Sequence, residues 1–155
     1  MAGKRSQITM NEDEVRAYLE SERVLNVATI GRTGHPHLVA MWYAMVERNA
    51  VFWTFSKSQK IVNLRRDPKM TGLVESGDTY EQLRGVEMRG RGVIVDDYDE
   101  VLEIGKAVGV KYNGPSALSE SALPFLEAQA TKRHGVVFEI DHIASWDHTK
   151  LAGGY

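Results

Sequence analysis

The chain has 155 residues, of which 43% are hydrophobic and 26% charged, and a length of this kind suits one domain rather than a nucleotide-binding domain joined to a separate substrate domain. Its 19 basic and 21 acidic side chains leave a net charge of −2, which favours neither nucleic acid nor a membrane surface as a partner. It contains no cysteine, which excludes disulfides, thiol nucleophiles, thiolate metal sites and iron–sulfur clusters.

The first third of the chain predicts one helix followed by three strands. Thr9 and Glu12 have the spacing of a capping box, which predicts a helix from there to about Glu20. Apolar and β-branched residues bounded by turn residues predict strands over residues 24–30, 37–46 and 51–55. Two hairpins in succession predict an antiparallel meander rather than a parallel sheet.

The rest of the chain predicts helices interspersed with strands. Ser58 can cap a helix to about Arg66, which ends because a residue before proline, here Asp67, avoids helical geometry. Further strands are predicted over residues 70–75, 83–95 and 136–143, and further helices over 97–110 and 119–133. The result is one domain over residues 1–155, mainly β with short flanking helices (α+β), as a small barrel of six antiparallel strands.

No segment of the sequence predicts secretion or membrane insertion. Residues 1–10 include two basic side chains but no apolar core behind them, so they do not read as a signal peptide. The longest apolar run, residues 38–46, is far shorter than the roughly 20 residues that span a bilayer. We therefore expect a cytoplasmic protein without a membrane partner.

The segment from Trp53 to Arg66 is the strongest candidate for binding an anion. It leaves a strand, passes two serines and enters a helix, and beyond Ser56 it carries basic residues and no acid before Asp67. A helix N-terminus with free N–H groups, hydroxyls and a lysine suits a phosphate monoester or diester. The alternative is that these basic side chains are only the solvated face of a short helix.

Two other segments could contact a flat ligand. Odd-numbered residues from 39 to 43 form one face of a strand and even-numbered residues from 38 to 42 the other, and both faces are apolar. One face would fill the barrel, and the other would meet a partner subunit or an aromatic ring. Gly85, in a segment with several arginines, would let a ring approach the backbone. The histidines lack the spacing of a metal site, and no catalytic residue can be named.

Together these segments resemble the flavin/deazaflavin oxidoreductase superfamily, the split β-barrel group that includes pyridoxamine 5′-phosphate oxidase. The resemblance is closest to the branch that binds the 8-hydroxy-5-deazaflavin coenzyme F-420. It rests on residues 34–43, 57–68, 80–90 and 145–151. It implies a split barrel and a homodimer whose cofactor pocket lies at the subunit interface, with Trp146 and the tail available from the second chain.

The resemblance also implies, by position, which residues hold the cofactor. These are Val39, Ala40, Met41, Trp42, Trp53, Thr54, Lys57, Ser58, Gln59, Lys60, Arg84, Gly85 and Trp146. Where the family has an arginine for the FMN phosphate this chain has Val39, and where it has a ring-contacting glutamine this chain has Gly85. Both departures disfavour FMN, whereas a basic segment suits the phosphodiester and polyglutamate tail of F-420.

The implied function is transfer of a hydride between F-420 and a small or planar unsaturated substrate, with the cofactor supplying the chemistry. One alternative is an FMN-dependent oxidase similar to pyridoxamine 5′-phosphate oxidase. Another is a protein that binds F-420 or a flavin without turnover. A third is haem binding, with His35 or His37 as the iron ligand.

Overall fold

A computed structural model describes residues 3–151 and shows one antiparallel sheet of seven strands. The strands are β1 (Leu25–Ile30), β2 (Pro36–Met41), β3 (Ala44–Val46), β4 (Asn49–Phe55), β5 (Lys69–Ser76), β6 (Arg84–Val95) and β7 (Arg133–Asp147). Their order in the sheet is β2-β1-β5-β6-β7-β4-β3. The two outermost strands, β2 and β3, follow one another in the chain, so the sheet curls into a barrel that is split between them.

Five helices accompany the sheet within residues 3–151. They are α1 (Lys4–Ile8), α2 (Glu12–Ser21), α3 (Gln59–Arg66), α4 (Tyr98–Asn113) and α5 (Leu123–Ala130). Short 3-10 turns occupy Tyr80–Gln82, Pro115–Leu118 and His148–Lys150. In this part of the chain, no helix has the combination of length and apolar character that crossing a bilayer requires.

The predicted class, mainly β with short helices, is confirmed, but the predicted count of six strands is wrong. The stretch predicted as one strand over residues 37–46 is two strands, because the backbone N–H of Tyr43 donates to the Tyr112 hydroxyl (3.1 Å) instead of joining the ladder. The predicted meander is also wrong. The β1–β2 and β3–β4 hairpins lie at opposite ends of the sheet order, because β2 and β3 do not pair and instead flank the split in the barrel.

Several predicted boundaries move, and each has a local cause. The capping box is Asn11 with Glu14 rather than Thr9 with Glu12: the Glu14 N–H donates to Asn11 Oδ1 (2.9 Å), and the Asn11 N–H donates to Glu14 Oε2 (2.7 Å). The Thr9 hydroxyl instead donates to the carbonyl of Arg5 at the end of α1 (2.8 Å).

The last strand is much longer than predicted, since β7 pairs with β4 through its first half and with β6 along most of its length. Pairing with β6 carries β7 past the predicted end at Ile143 to Asp147, with a register shift at Arg89/Gly90. Arg133 therefore begins a strand rather than ending a helix, and Trp146 lies in the strand rather than in a polar tail. The helix predicted over residues 119–133 is correspondingly shorter.

The core fills the barrel and is closed at each end by a helix. Val27, Phe52, Met88 and Phe138 are fully buried inside the sheet. Helix α2 closes one end with Tyr18 and its neighbours, and α3 closes the other with Ile61 and Leu64. Helix α4 packs outside, against β3, β4 and β7, in a second apolar cluster. The outer face of β2, at the opposite end of the sheet order from α4, retains exposed side chains.

Candidate functional site

Lys60 provides the clearest functional feature, because its ammonium group is buried without a negative partner. The side chain is 8% exposed, and its Nζ donates to the Thr54 hydroxyl at 2.9 Å. The Thr54 hydroxyl in turn donates to Ser58 Oγ (3.3 Å). No carboxylate pairs with Lys60 within the described part of the chain. Two neutral hydroxyls leave the charge uncompensated, so the site favours an anion.

Arg133 adds a second cation to this site. Strand pairing places it opposite Phe55, and its guanidinium lies over the rings of Phe55 (4.5 Å) and Trp53 (5.1 Å). Its Nε and Nη2 both donate to Gln129 Oε1, at 3.3 and 3.2 Å. Burial lowers the pKa of Lys60, and repulsion from Arg133 lowers it further. Two cations that repel one another need a bound anion to offset their charge.

The other basic residues of the predicted anion segment have separate roles. Lys57 is exposed, Arg65 reaches Nε2 of His134 (3.2 Å), and Arg66 donates to the carbonyl of Ile30 (2.6 Å). The alternative, in which the basic side chains form only a solvated helix face, is therefore wrong for Lys60, because its side chain points inward. Lys57 is solvated, as that alternative predicts. Gln59, exposed at the helix start, donates to Asn63 Oδ1 (2.8 Å).

The strand predicted to line the ring has an inward and an outward face, as its alternation predicts. Val39 and Met41 pack against the barrel core, so their side chains are directed away from the surface. Leu38 (67% exposed), Ala40 and Trp42 (58% exposed) point outward. A small residue between two large exposed apolar ones makes a flat, apolar surface, which is unusual where only water is in contact with it.

Trp53 is held by packing rather than left open to a ligand. A Cβ atom added to Gly105 of α4 would lie 2.4 Å from Cζ3 of Trp53, so the helix approaches the indole as closely as glycine allows. The guanidinium of Arg133 lies over the Trp53 ring, so the packed indole helps to position this second cation.

Arg84, Gly85 and Trp146 form a separate group. A Cβ on Gly85 would lie 2.2 Å from Cζ2 of Trp146, its partner across β6 and β7, so glycine makes room for the protein's own indole. Arg84 lies over the ring of Tyr18 (4.8 Å) and pairs with Asp147 (Nε to Oδ2, 3.2 Å). Burial acts to raise the pKa of Asp147, but hydrogen bonds from Thr149 and the charge of Arg84 outweigh it and leave that pKa lowered.

A single chain brings only part of the predicted set together. Thr54, Ser58 and Lys60 meet at the end of the barrel closed by α3, which packs against Gly92 of β6. Gly85 lies seven residues earlier in β6, roughly 20 Å along the strand, beside α2. Within one chain these two groups therefore lie at opposite ends of the barrel.

Sequence reasoning missed Arg133 and Tyr112. Arg133 was placed at the end of a helix, and only the pairing of β4 with β7 brings it near Lys60. Tyr112 lies on α4 and stacks on Trp42, a contact between residues 70 positions apart in the sequence. Neither has a local signal, since each acts through a partner that is distant along the chain.

The two histidines of the haem alternative lie in the β1–β2 hairpin. His35 is exposed in the turn between β1 and β2, and the Nδ1 atom of His37 is buried without a hydrogen-bond partner among residues 3–151. The same residues contain no group of three side chains suited to holding a metal ion.

A cleft of about 650 Å³ lies elsewhere in the described part of the chain. It is bounded by α1, α2, the β3–β4 turn and the second half of β7, and includes Met10, Met45 and Ile143. None of the predicted site residues lines it. We place the candidate site at Lys60 because the buried, uncompensated charge identifies a ligand class, whereas the rim of this cleft carries both arginines and carboxylates.

Comparison with known proteins identifies the family of this fold. Residues 11–147 match the family model described as pyridoxamine 5′-phosphate oxidase. The solved structure of a conserved hypothetical protein from Mycobacterium tuberculosis is 40% identical, with a TM-score of 0.91 over 99% of this chain and 95% of that one. No curated protein sequence gives a significant match.

Two further solved structures share this fold. An F420 reductase is 25% identical, with a TM-score of 0.66 over 83% of this chain and 94% of that one. An FAD-binding protein from Mesorhizobium loti is 19% identical, with a TM-score of 0.65 over 88% of this chain and 94% of that one, and shows the shared fold.

Proposed function

The chain belongs to the pyridoxamine 5′-phosphate oxidase family, within the flavin/deazaflavin superfamily of split barrels, and from this premise we propose that it is an F-420-dependent oxidoreductase. The substrate class is a small or planar unsaturated molecule. The observation that carries the proposal is the buried ammonium of Lys60, which has no carboxylate partner in residues 3–151 and lies beside a second cation, Arg133.

The residues at this site fit the phosphate of a cofactor of this type. Lys60 and Arg133 would supply positive charge, and the hydroxyls of Thr54 and Ser58 would donate or accept hydrogen bonds. The first backbone N–H groups of α3 lie at the N-terminal end of the helix, next to Ser58, and add main-chain donors to those of the side chains. The fit is to the chemical class of the group, a phosphate ester.

The chain's own part in the reaction is binding, orientation and exclusion of water. F-420, when bound, accepts or gives a hydride at C5 of its deazaflavin ring. Ala40 and Trp42 present an apolar surface on which such a ring can lie away from water. The site does not require a protein nucleophile, which fits the sequence, where no nucleophile with an adjacent base can be named.

The choice of F-420 over FMN rests on the positions at which the chain departs from the FMN-binding pattern. Val39, where that pattern has a phosphate-binding arginine, packs into the barrel core and offers no charge. Gly85, where the pattern has a glutamine, is filled by the indole of Trp146. The 25% identity to an F420 reductase over most of both chains supports the same choice.

Titration of the purified protein with each cofactor tests the proposal. We expect F-420 to bind with a lower Kd than FMN. Binding of each cofactor is monitored by the quenching of tryptophan fluorescence. Micromolar binding of FMN with no binding of F-420 would contradict the proposal and favour the FMN oxidase. Tight binding of reduced F-420, with no oxidation by any member of a panel of unsaturated substrates, would favour a binding protein without turnover.

We also propose that the protein is a homodimer, with one copy bringing Gly85 and Trp146 to the Lys60 end of the other. The registers of β2, β1, β5, β6 and β7 place Ala40 and Trp146 on the same outer side of the sheet. The edge strand β2 exposes apolar side chains on this outer side of the sheet, as strands in a subunit interface do.

Leu38→Glu is expected to shift the protein toward a monomer and to weaken cofactor binding, because a charge on the outer face of β2 opposes burial against a partner. Sedimentation velocity measures the first effect and titration the second. Phe125→Glu on α5 is the matched control, since Phe125 is 66% exposed and Leu38 is 67% exposed. A Leu38 variant that sediments like the unmodified protein would place the interface elsewhere.

A further inference from the structure

Trp42 is stacked on one side and open on the other. Its indole lies parallel to the ring of Tyr112, with centroids 4.2 Å apart and an interplanar angle of 6°. The guanidinium of Arg23 also lies over the Tyr112 ring, 4.7 Å from its centroid. An indole and a guanidinium cannot both cover one face of a phenol ring at these distances, so they lie on opposite faces. The result is a three-layer stack of Arg23, Tyr112 and Trp42. The aromatic face that remains open at the end of this stack is the side of the indole turned away from Tyr112.

The middle layer of this stack is fixed by hydrogen bonds to two other parts of the chain. The Tyr112 hydroxyl donates to the carbonyl of Arg23 and accepts from the backbone N–H of Tyr43 (3.1 Å). The adjacent Lys111 donates to the carbonyl of Leu19 (3.1 Å), with its Nζ 3.5 Å from the centroid of the Tyr43 ring. Burial, with a further effect from Arg23, lowers the pKa of Lys111 to about 8, as expected for a closely packed cluster.

Helix α4 orients both tryptophans of the candidate site. Trp53 packs against Gly105 and Trp42 against Tyr112, two helical turns or about 10 Å farther along α4. The first contact supports the Arg133 cation, and the second directs the Trp42 indole beside Ala40 on the outer face. One rigid element thus relates the anion-binding end to the apolar surface.

We propose that Tyr112 is a positioning residue for the cofactor ring. By stacking on Trp42, with Arg23 on its own opposite face, it holds the indole as a fixed wall of the surface formed by Ala40 and Leu38, on which the planar ring lies. The ligand class is a neutral or anionic fused aromatic ring. This inference rests on the proposed function and extends it to a residue that does not itself touch the cofactor.

A fixed wall contributes to binding because its side chain loses no freedom when the ligand arrives. A tryptophan that is 58% exposed and unsupported would sample several rotamers and would have to be ordered by the ligand. Tyr112 removes this cost for the ring and leaves the phosphate contacts unaffected. The two contributions can therefore be separated by comparing the intact cofactor with a phosphate-free fragment.

The experiment measures Kd for F-420 and for 8-hydroxy-5-deazariboflavin, the ring without the phosphate, in three variants. Tyr112→Leu is expected to weaken both ligands by about five- to tenfold. Tyr112→Phe keeps the stacked ring but removes the two hydrogen bonds of the hydroxyl, so it is expected to weaken both ligands by less than Tyr112→Leu does. Lys60→Met is expected to weaken F-420 strongly and to leave the phosphate-free ring unchanged.

The outcomes separate this inference from the proposed function. If the unmodified protein binds F-420 and Tyr112→Leu binds both ligands with unchanged Kd, the inference is overturned and the proposed function stands. If the unmodified protein binds neither ligand, both are overturned. Should Tyr112→Leu fail to fold, Trp42→Leu, an exposed substitution, must weaken the phosphate-free ring by a similar factor; an unchanged Kd there also overturns the inference.

Discussion

Lys60→Met is expected to weaken binding of the phosphate-bearing cofactor by about 2 kcal/mol, roughly thirtyfold, because it removes a charge-assisted contact in a buried site. Methionine keeps most of the side-chain volume, so packing around Thr54 and Ile61 is preserved. The measurement is an equilibrium titration with F-420 monitored by fluorescence. The same substitution is expected to leave the unliganded protein as stable as before or more stable.

This second expectation follows from the pKa of Lys60. Burial, followed by repulsion from Arg133, lowers that pKa in the folded state, so the charged amine is less favourable there than in the unfolded chain. The unfavourable effect is present in full below the folded pKa and is relieved as the pH rises toward the unfolded value. A cation that opposes folding and favours an anion is a binding residue rather than a structural one.

Lys57→Met is the matched control for this prediction. Lys57 lies three residues before Lys60, in the turn that precedes α3, and is exposed, so its removal is expected to change the Kd by no more than about threefold. Equal losses in the two variants would indicate a diffuse electrostatic effect instead of a specific site. An unchanged Kd in Lys60→Met would show that the phosphate binds elsewhere.

Gly85→Ala is expected to destabilise the protein by about 1 to 3 kcal/mol, because the new methyl group would overlap the indole of Trp146. The added Cβ would lie 2.2 Å from Cζ2 and 2.4 Å from Cε2 of that ring, well inside van der Waals contact. Either the β6–β7 pairing deforms or the indole leaves its position. Urea unfolding measures the first effect, and tryptophan fluorescence reports the second.

A double-mutant cycle with Trp146→Ala separates the clash from the general effect of replacing a glycine. In the Trp146→Ala background the space above position 85 is empty, so Gly85→Ala is expected to change the unfolding free energy by less than about 0.5 kcal/mol. Additive effects of the two substitutions would show that the close approach of Trp146 to Gly85 is not what selects glycine. The cycle also shows whether F-420 affinity depends on the indole's position.

The segments with strong local patterns were predicted correctly. Alternation along residues 37–43 sends Val39 and Met41 inward and Leu38 outward, as the structure confirms. Helix α3 ends before Pro68, as the restriction on the residue before proline predicts, and Ser58 occupies its N-cap position. The predicted cap itself is wrong, because the Ser58 side chain makes no hydrogen bond to the helix and instead accepts one from Thr54. Family membership was predicted from the order and spacing of several such segments, and it is confirmed.

Other features depended on which strands pair, and no local pattern specifies that. The last strand was predicted to end at Ile143, before the polar residues around Trp146, whereas pairing with β6 continues β7 to Asp147. The break at Tyr43 was missed because the N–H is satisfied by Tyr112, which is distant in the sequence. In both cases a tertiary partner replaced the expected local one.

The sequence by itself determined the class of the fold, the family and the segment proposed to bind an anion, because hydrophobic alternation, helix ends and a run of basic residues are local properties. It could not decide which of the basic residues turns inward, since a short helix can present Lys60 to solvent or to the barrel. Only the tertiary structure showed Lys60 buried beside Thr54, Arg133 brought to it across β4 and β7, and Tyr112 stacked on Trp42. The physical reason is that burial and charge compensation depend on residues that are close in space and far apart in the chain.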